Sequence, residues 1–258
     1  MPWTRTYDEA EPQRVNRWLA RNGVCSRREA EALISQGLVS IDGATVADAG
    51  RKIEPGQTLT LADAATGALQ GALTVVLHKP VGVVSAHPEP GQVPAVRLLT
   101  RETLVGESPV IPGRDTRLAP VGRLDMESRG LLILSEDGVV AKAVIGPQSE
   151  LEKEYRVAVI GEITQARLAR LRHGLELDGR RLKQADVSLI SEGRLRIVLR
   201  EGRNRQIRRM CELVDLKVVD LFRVRVGPVR LGDLPERRWR LLSAQERQAL
   251  TGGGGSPR

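Results

Sequence analysis

The chain has 258 residues, 41% hydrophobic and only 2% aromatic, with a formal net charge of +8 and a sequence pI of about 10.1. Its core must come from Leu, Val, Ile and Ala, and its length allows one large domain or a small domain plus a medium one. Two distant cysteines, Cys25 and Cys211, and three scattered histidines exclude a disulfide framework and a multi-ligand metal centre. No run spans a bilayer or reads as a signal peptide, so no membrane partner and a cytoplasmic location are expected. Only six of the 40 basic residues are Lys. Arg forks onto phosphate and stacks on planar groups, which favours a nucleic-acid partner; Arg-rich codon usage is the bland alternative.

Residues 1–13 are polar and read as a loose tail. Val15, Trp18 and Leu19 then recur at helix spacing. In "CSRREAEALISQGLVSIDG", Ser26 and Glu29 form a capping box, Ala30, Leu33 and Ile34 give a buried stripe, and Gly37 stops the helix. Leu38–Ile41 reads as a strand closed by an Asp42-Gly43 turn, and "KIEPGQTLTL" adds another. The first domain thus spans 14–61. Residues 62–73, "ADAATGALQGAL", read as a flexible linker.

A second domain, 74–250, opens with the apolar strand "TVVLHKP". The Pro- and Gly-rich segment from His87 to Pro120 has the look of a functional loop. "VGRLDMESRGLLILSEDG" places Asp125 between a glycine turn and a buried run, Leu131 to Leu134. A short helix is expected at "VVAKAVIG" and a strand at "EKEYRVAVIG", with Tyr155, Val157 and Val159 on its apolar side. Helices are expected at "TQARLARLRHG", "NRQIRRMCELV" and "SAQERQAL", and strands at "RLRIVLREG" and "VVDLFRVRVGPVRL". Interspersed but not alternating elements indicate an α+β fold: a mixed, mainly antiparallel sheet with flanking helices.

Three groups could carry chemistry. Arg14, Arg17 and Arg21 share a helix face, and Arg27 and Arg28 open the next helix, where positive charge opposes the macrodipole. They are candidates for phosphate contacts, or simply a solvated face. Arg203, Arg205, Arg208 and Arg209 crowd another helix start at ~0.3–1 kcal/mol for each unfavourable interaction, which points to an anion to hold, a phosphate or a buried carboxylate; a plain surface cluster is the alternative. Asp125 and Tyr155 can be read as a turn carboxylate and a core phenol, or as an acid–phenol pair. Phosphate-loop, Rossmann and serine-elbow patterns are missing, which leaves acid–base or glycosyl-type chemistry without a metal.

"KPVG", "GRLD", "KEYRV" and "EGRNRQIRRM", in this order, resemble the RsuA/Rlu-type pseudouridine synthases, and "RVNRWLARNGVCSRREAEALISQGLVSIDG" resembles the S-four RNA-binding domain. The resemblance covers roughly residues 14–245 and implies the pseudouridine synthase fold. It implies isomerisation of uridine in structured RNA with no cofactor: the C1′–N1 bond breaks, uracil turns, and C5 joins C1′. On that basis Asp125 is the essential carboxylate, acting at the ribose carbon or assisting a glycal-like intermediate. Tyr155 stacks on the displaced base, and Arg208 ion-pairs with Asp125. Arg123 fills the space of the flipped uridine, and Lys79 of "KPVG" joins the RNA contacts.

Within the family, "GVCSRREA", "EKEY" and "NRQIRRMC" resemble the RluF branch, which implies ribosomal RNA of the large subunit as substrate; tRNA as a secondary substrate and a monomeric state are separate expectations. Two departures bear on the target: a longer segment between "KPVG" and "GRLD", and an Arg in "LPERRWRLL" where Gly is usual. The alternatives are a non-catalytic RNA-binding assembly factor on the same fold and a base-excising enzyme that would release free base.

Overall fold

The computed structural model describes residues 2–113 and 116–252. These fall into two compact units: one runs to Leu73 and includes Ser135–Lys142, and the other holds Thr74–Leu134 and the chain from Ala143 onward.

In the small unit, helices Val15–Arg21 and Arg27–Ser35 accompany a four-stranded antiparallel sheet in the order Trp3–Thr6, Thr58–Leu61, Val39–Ile41, Ala44–Thr45. The capping box forms: Glu29 N–H donates to Ser26 Oγ at 3.2 Å, and Ser26 N–H donates to Glu29 Oε2 at 2.5 Å. Ala30, Leu33 and Ile34 are buried as the stripe requires.

Two expectations fail here. The N-terminal residues are not a loose tail, because Trp3–Thr6 adds an outer strand. Trp3 and Tyr7 close edge-on against Trp18, with ring centroids 6.1 and 5.6 Å away, and Tyr7 is fully buried. Edge-to-face packing of this kind stabilises beyond the area buried. The supposed linker holds a helix, Asp63–Gln70. Its alanines favour helix, and Ala65 and Leu69 pack into the core of this unit.

The large unit is built on one mixed sheet. Its strands lie in the order Asp186–Ser191, Arg194–Leu199, Lys153–Ile160, Lys217–Val226, Arg129–Ser135, Thr74–Lys79, Trp239–Leu241. Pairing is antiparallel through the first four strands and again between the last two, and parallel between Arg129–Ser135 and Lys217–Val226. Three of the expected helices stand at Gln165–Arg172, Gln206–Glu212 and Ala244–Thr251, and the fourth, Gly138–Ile145, is counted up to Lys142 with the small unit. The fold class is therefore α+β.

Leu131 to Leu134 are fully buried at the centre of the sheet. Gly130, at the parallel junction, has φ +109°, and a Cβ there would lie 2.2 Å from the Arg223 carbonyl oxygen. Only glycine allows the two strands this approach. The described residues between 87 and 120 hold two short strands, Val93–Pro94 and Ala119–Pro120, and a 3₁₀ turn, Ala95–Leu98. No helix among the described residues is long and apolar enough to cross a membrane.

Candidate active site

Asp125 sits on a tight turn. Gly122 starts it with φ +83°, and Ser128 N–H closes it by donating to the Asp125 carbonyl oxygen at 3.0 Å. The turn is gripped from three sides. Arg223 is 2% exposed; its Nε donates to Leu131 O at 2.8 Å, Nη2 to Gly122 O at 3.0 Å and Nη1 to Arg123 O at 3.3 Å. The Ser85 hydroxyl donates to Leu124 O at 2.6 Å and accepts from Leu124 N–H at 2.9 Å. Arg208 Nη2 donates to Glu127 O at 3.1 Å and to Ser128 Oγ at 3.4 Å. Locked rotamers and satisfied backbone groups hold a carboxylate still.

Arg208 does not pair with Asp125 as expected. It lies on the buried side of its helix beside Ile207 and Cys211, and its nearest carboxylate is Glu127, 3.7 Å from Nε. The guanidinium that meets Asp125 is Arg205, with Nη1 3.8 Å from Oδ2 and Nη2 3.0 Å from Glu127 Oε2. Arg205 precedes the helix in the left-handed region, φ 48°, so its side chain departs from the helical series that buries Arg208.

Tyr155 shares a cavity of about 300 Å³ with Asp125, lined also by Arg123, Lys153, Arg205 and Arg223. A recess of about 80 Å³ beside it again touches Asp125 and Tyr155 and has Leu199, Ile207 and Leu221 in its wall. The alternation that buries Tyr155 with Val157 and Val159 turns Glu154, Arg156 and Ala158 to the other sheet face. A larger groove, about 660 Å³, lies on that face, but its carboxylates are occupied: Asp220 by Arg129 at 2.8 Å, Glu154 by Arg196 at 3.2 Å and Arg225 at 3.0 Å.

Lys79, expected among the RNA contacts, does not reach the surface. It is fully buried, and its Nζ donates to Pro80 O at 2.8 Å and Val83 O at 2.7 Å. Burial lowers its ammonium pKa to about 8, and Asp125 opposes that shift. Lys79 thus secures the start of the loop beneath the site. Arg203 and Arg209 are also engaged within the protein. Arg203 donates to the carbonyls of Leu177, Arg180 and Arg181, and Arg209 forks onto Asp178 at 2.6 and 2.9 Å.

In the small unit, Arg14, Arg17, Arg21 and Arg27 line one groove of about 730 Å³ together with Lys52. Arg28 is exposed but does not line that groove. Sequence reasoning missed Arg223 and Ser85. The signal for Arg223 was present: in "LFRVRV" it alternates with buried Leu221, so a charged residue had to lie on an inward face.

The site is thus an acid and a phenol in one cavity, on a pinned turn, amid arginines. Comparison with known proteins gives this arrangement its context. The model of the RNA pseudouridylate synthases matches residues 73–213, and the S4 domain model matches residues 13–59. The chain belongs to the RNA pseudouridine synthases. It is 34% identical over 237 residues to an uncharacterized RNA pseudouridine synthase of Aquifex aeolicus, covering 90% of this chain and 91% of that one. It is 33% identical over 241 residues to the dual-specificity RNA pseudouridine synthase RluF of Escherichia coli K12, covering 90% and 76%. Ribosomal large subunit pseudouridine synthase B of Vibrio vulnificus is 34% identical over 244 residues, covering 91% and 73%.

These relatives agree with the RsuA/Rlu type and with the RluF branch within it. A crystal structure of a pseudouridylate synthase, 24% identical, superposes with a TM-score of 0.63 over 92% of this chain and 99% of that one, so the synthase shares its fold. The enzyme is an isomerase acting on RNA.

Proposed function

We propose that this synthase converts a uridine of large-subunit ribosomal RNA to pseudouridine, with Asp125 as its catalytic carboxylate. The observation that carries the reading is the cavity itself: Asp125 and Tyr155 face one space of about 300 Å³, and Asp125 rides on a turn pinned by Arg223, Ser85 and Arg208. Breaking C1′–N1 leaves an oxocarbenium-like sugar, which needs a carboxylate beside it, as in glycosidases. Tyr155 supplies the flat surface for the detached uracil while C5 turns toward C1′. The base must leave its stack to enter, at a cost of a few kcal/mol, ~2–5, and Arg123 in the cavity wall takes its place. Arg205 and Arg208 act through Glu127 and the turn. The arginine-lined groove of the small unit holds RNA by its phosphates.

The ribosomal assignment draws on the relatives, one of which is named for the large ribosomal subunit and another for dual specificity. Mapping pseudouridine across ribosomal and transfer RNA, from cells with and without the gene, tests it. One large-subunit position should lose its modification. A change confined to transfer RNA would overturn the ribosomal assignment, and unchanged maps would overturn the reading as a whole.

A further inference from the structure

Lys153 and Arg223 both line the cavity that holds Asp125, and both are more than nine-tenths buried, at 8% and 2% exposure. They stand on adjacent antiparallel strands. Arg223 donates to three backbone carbonyls, which leaves two of its five N–H groups over. Among the described residues the Lys153 ammonium makes one hydrogen bond, from Nζ to Leu151 O at 3.3 Å. Among the described residues neither forms an ion pair. Burial and the neighbouring Arg223 both push the Lys153 ammonium pKa down. Asp125 is not the missing counter-ion. Its ion pair is with Arg205, and the buried ammonium it favours is that of Lys79.

Two adjacent buried cations without a carboxylate carry a desolvation cost that only a counter-charge offsets. The pinning of the turn accounts for Arg223. Lys153 holds only the carbonyl two residues before it, which does not explain a buried ammonium in a cavity wall. The counter-charge must therefore come with the ligand, and every residue of an RNA ligand carries a phosphate.

We propose that Lys153 and Arg223 form a phosphate subsite that receives the phosphodiester next to the target uridine. The subsite fixes where the ribose lies relative to Asp125, which makes Lys153 a substrate-binding residue and separates its role from that of the groove in the small unit. The proposal rests on reading the cavity as the place where the nucleotide enters.

The test is a cycle of equilibrium binding measurements on the full chain. The ligand is an RNA fragment carrying the mapped uridine, either native or with a neutral methylphosphonate in place of one flanking phosphate, tried on each side. Native RNA should bind Lys153→Met about tenfold more weakly than wild type, the scale of one charged hydrogen bond. Lys153→Arg should keep most of the affinity. One of the two methylphosphonates should weaken wild type by the same factor and cost Lys153→Met nothing more. Losses that multiply, or a Lys153→Met chain that binds native RNA like wild type, would overturn the subsite. If Lys153→Met does not fold, the wild type and Lys153→Arg carry the test, and indifference of both to either methylphosphonate overturns it. Binding is read without turnover, so a wild-type chain that binds but does not isomerise would refute the catalytic reading and leave this result standing.

Discussion

Arg205 and Asp125 approach to 3.8 Å, while the residue three places further on, Arg208, turns away to hold the backbone of Glu127. The two arginines therefore do different work. Arg205 and Asp125 are 40% and 33% exposed, and a pair that wet is worth ~0–1 kcal/mol. Arg205→Ala should slow pseudouridine formation by no more than about tenfold, by the same reckoning. Arg208→Ala takes the donor from the half-buried carbonyl bonds to Glu127 and Val218, at ~1–3 kcal/mol, and loosens the turn under Asp125. It should cost about a hundredfold in kcat, with KM little changed, since misplacing the reacting group acts on the chemical step. Steady-state kinetics of the two variants, with urea unfolding alongside, check the contrast; equal effects would contradict it.

Gly130→Ala should be severely destabilising. Its Cβ would meet the Arg223 carbonyl oxygen at 2.2 Å and Phe222 Cδ2 at 2.8 Å, at a backbone φ of +109°. Strain and forced strand separation together predict a loss of ~3 kcal/mol or more. The matched control is Gly174→Ala, where φ is +95° but nothing lies within 4 Å. It should cost only ~1 kcal/mol, from the backbone conformation alone. Urea midpoints at constant slope measure both.

Much of this architecture is legible in local pattern. The Ser26–Glu29 capping box, the Leu131–Leu134 strand and the side of its strand that Tyr155 occupies all follow from spacing. What is not legible depends on distant partners. Trp3 and Tyr7 look like tail residues until Trp18 is beside them. Residues 63–70 look like linker because the core that receives Ala65 is invisible in one dimension. Arg205 and Arg208 differ by three positions in a run of arginines, and only the left-handed residue before the helix decides which meets Asp125. Lys79 has the composition of an RNA contact and the burial of a structural pin.

Lys79 carries a pH signature. Its folded-state pKa, about 8, lies below the ordinary 10.5. Between those values the unfolded chain binds the proton and the folded chain does not, so this group makes stability rise with pH. Below about pH 8 the buried ammonium is charged in both states and its full penalty is felt. The stability of wild type relative to Lys79→Met should therefore increase from pH 8 toward pH 10 in paired denaturation curves. A flat or falling difference would contradict the cost of burying this ammonium.

Cys25 and Cys211 should be silent toward thiol reagents in the folded chain. They are 1% and 0% exposed, and burial pushes both thiols up to about 12. The thiolate is the reactive species, so neither access nor ionisation favours attack. An aromatic disulfide reagent at pH 8 should titrate no thiol before denaturant is added and two after it. Rapid reaction of either thiol in the native chain would show that its surroundings open.

The account depends above all on Asp125. Its direct measurement is single-turnover pseudouridine formation at the mapped uridine by purified wild type and Asp125→Asn, with RNA affinity determined on the same samples. Asn keeps the shape of the side chain and removes its charge and basicity. The result predicted is loss of product to background while affinity stays within about twofold, since phosphate contacts made elsewhere dominate binding. An Asp125→Asn chain that forms pseudouridine at the wild-type rate would contradict the account.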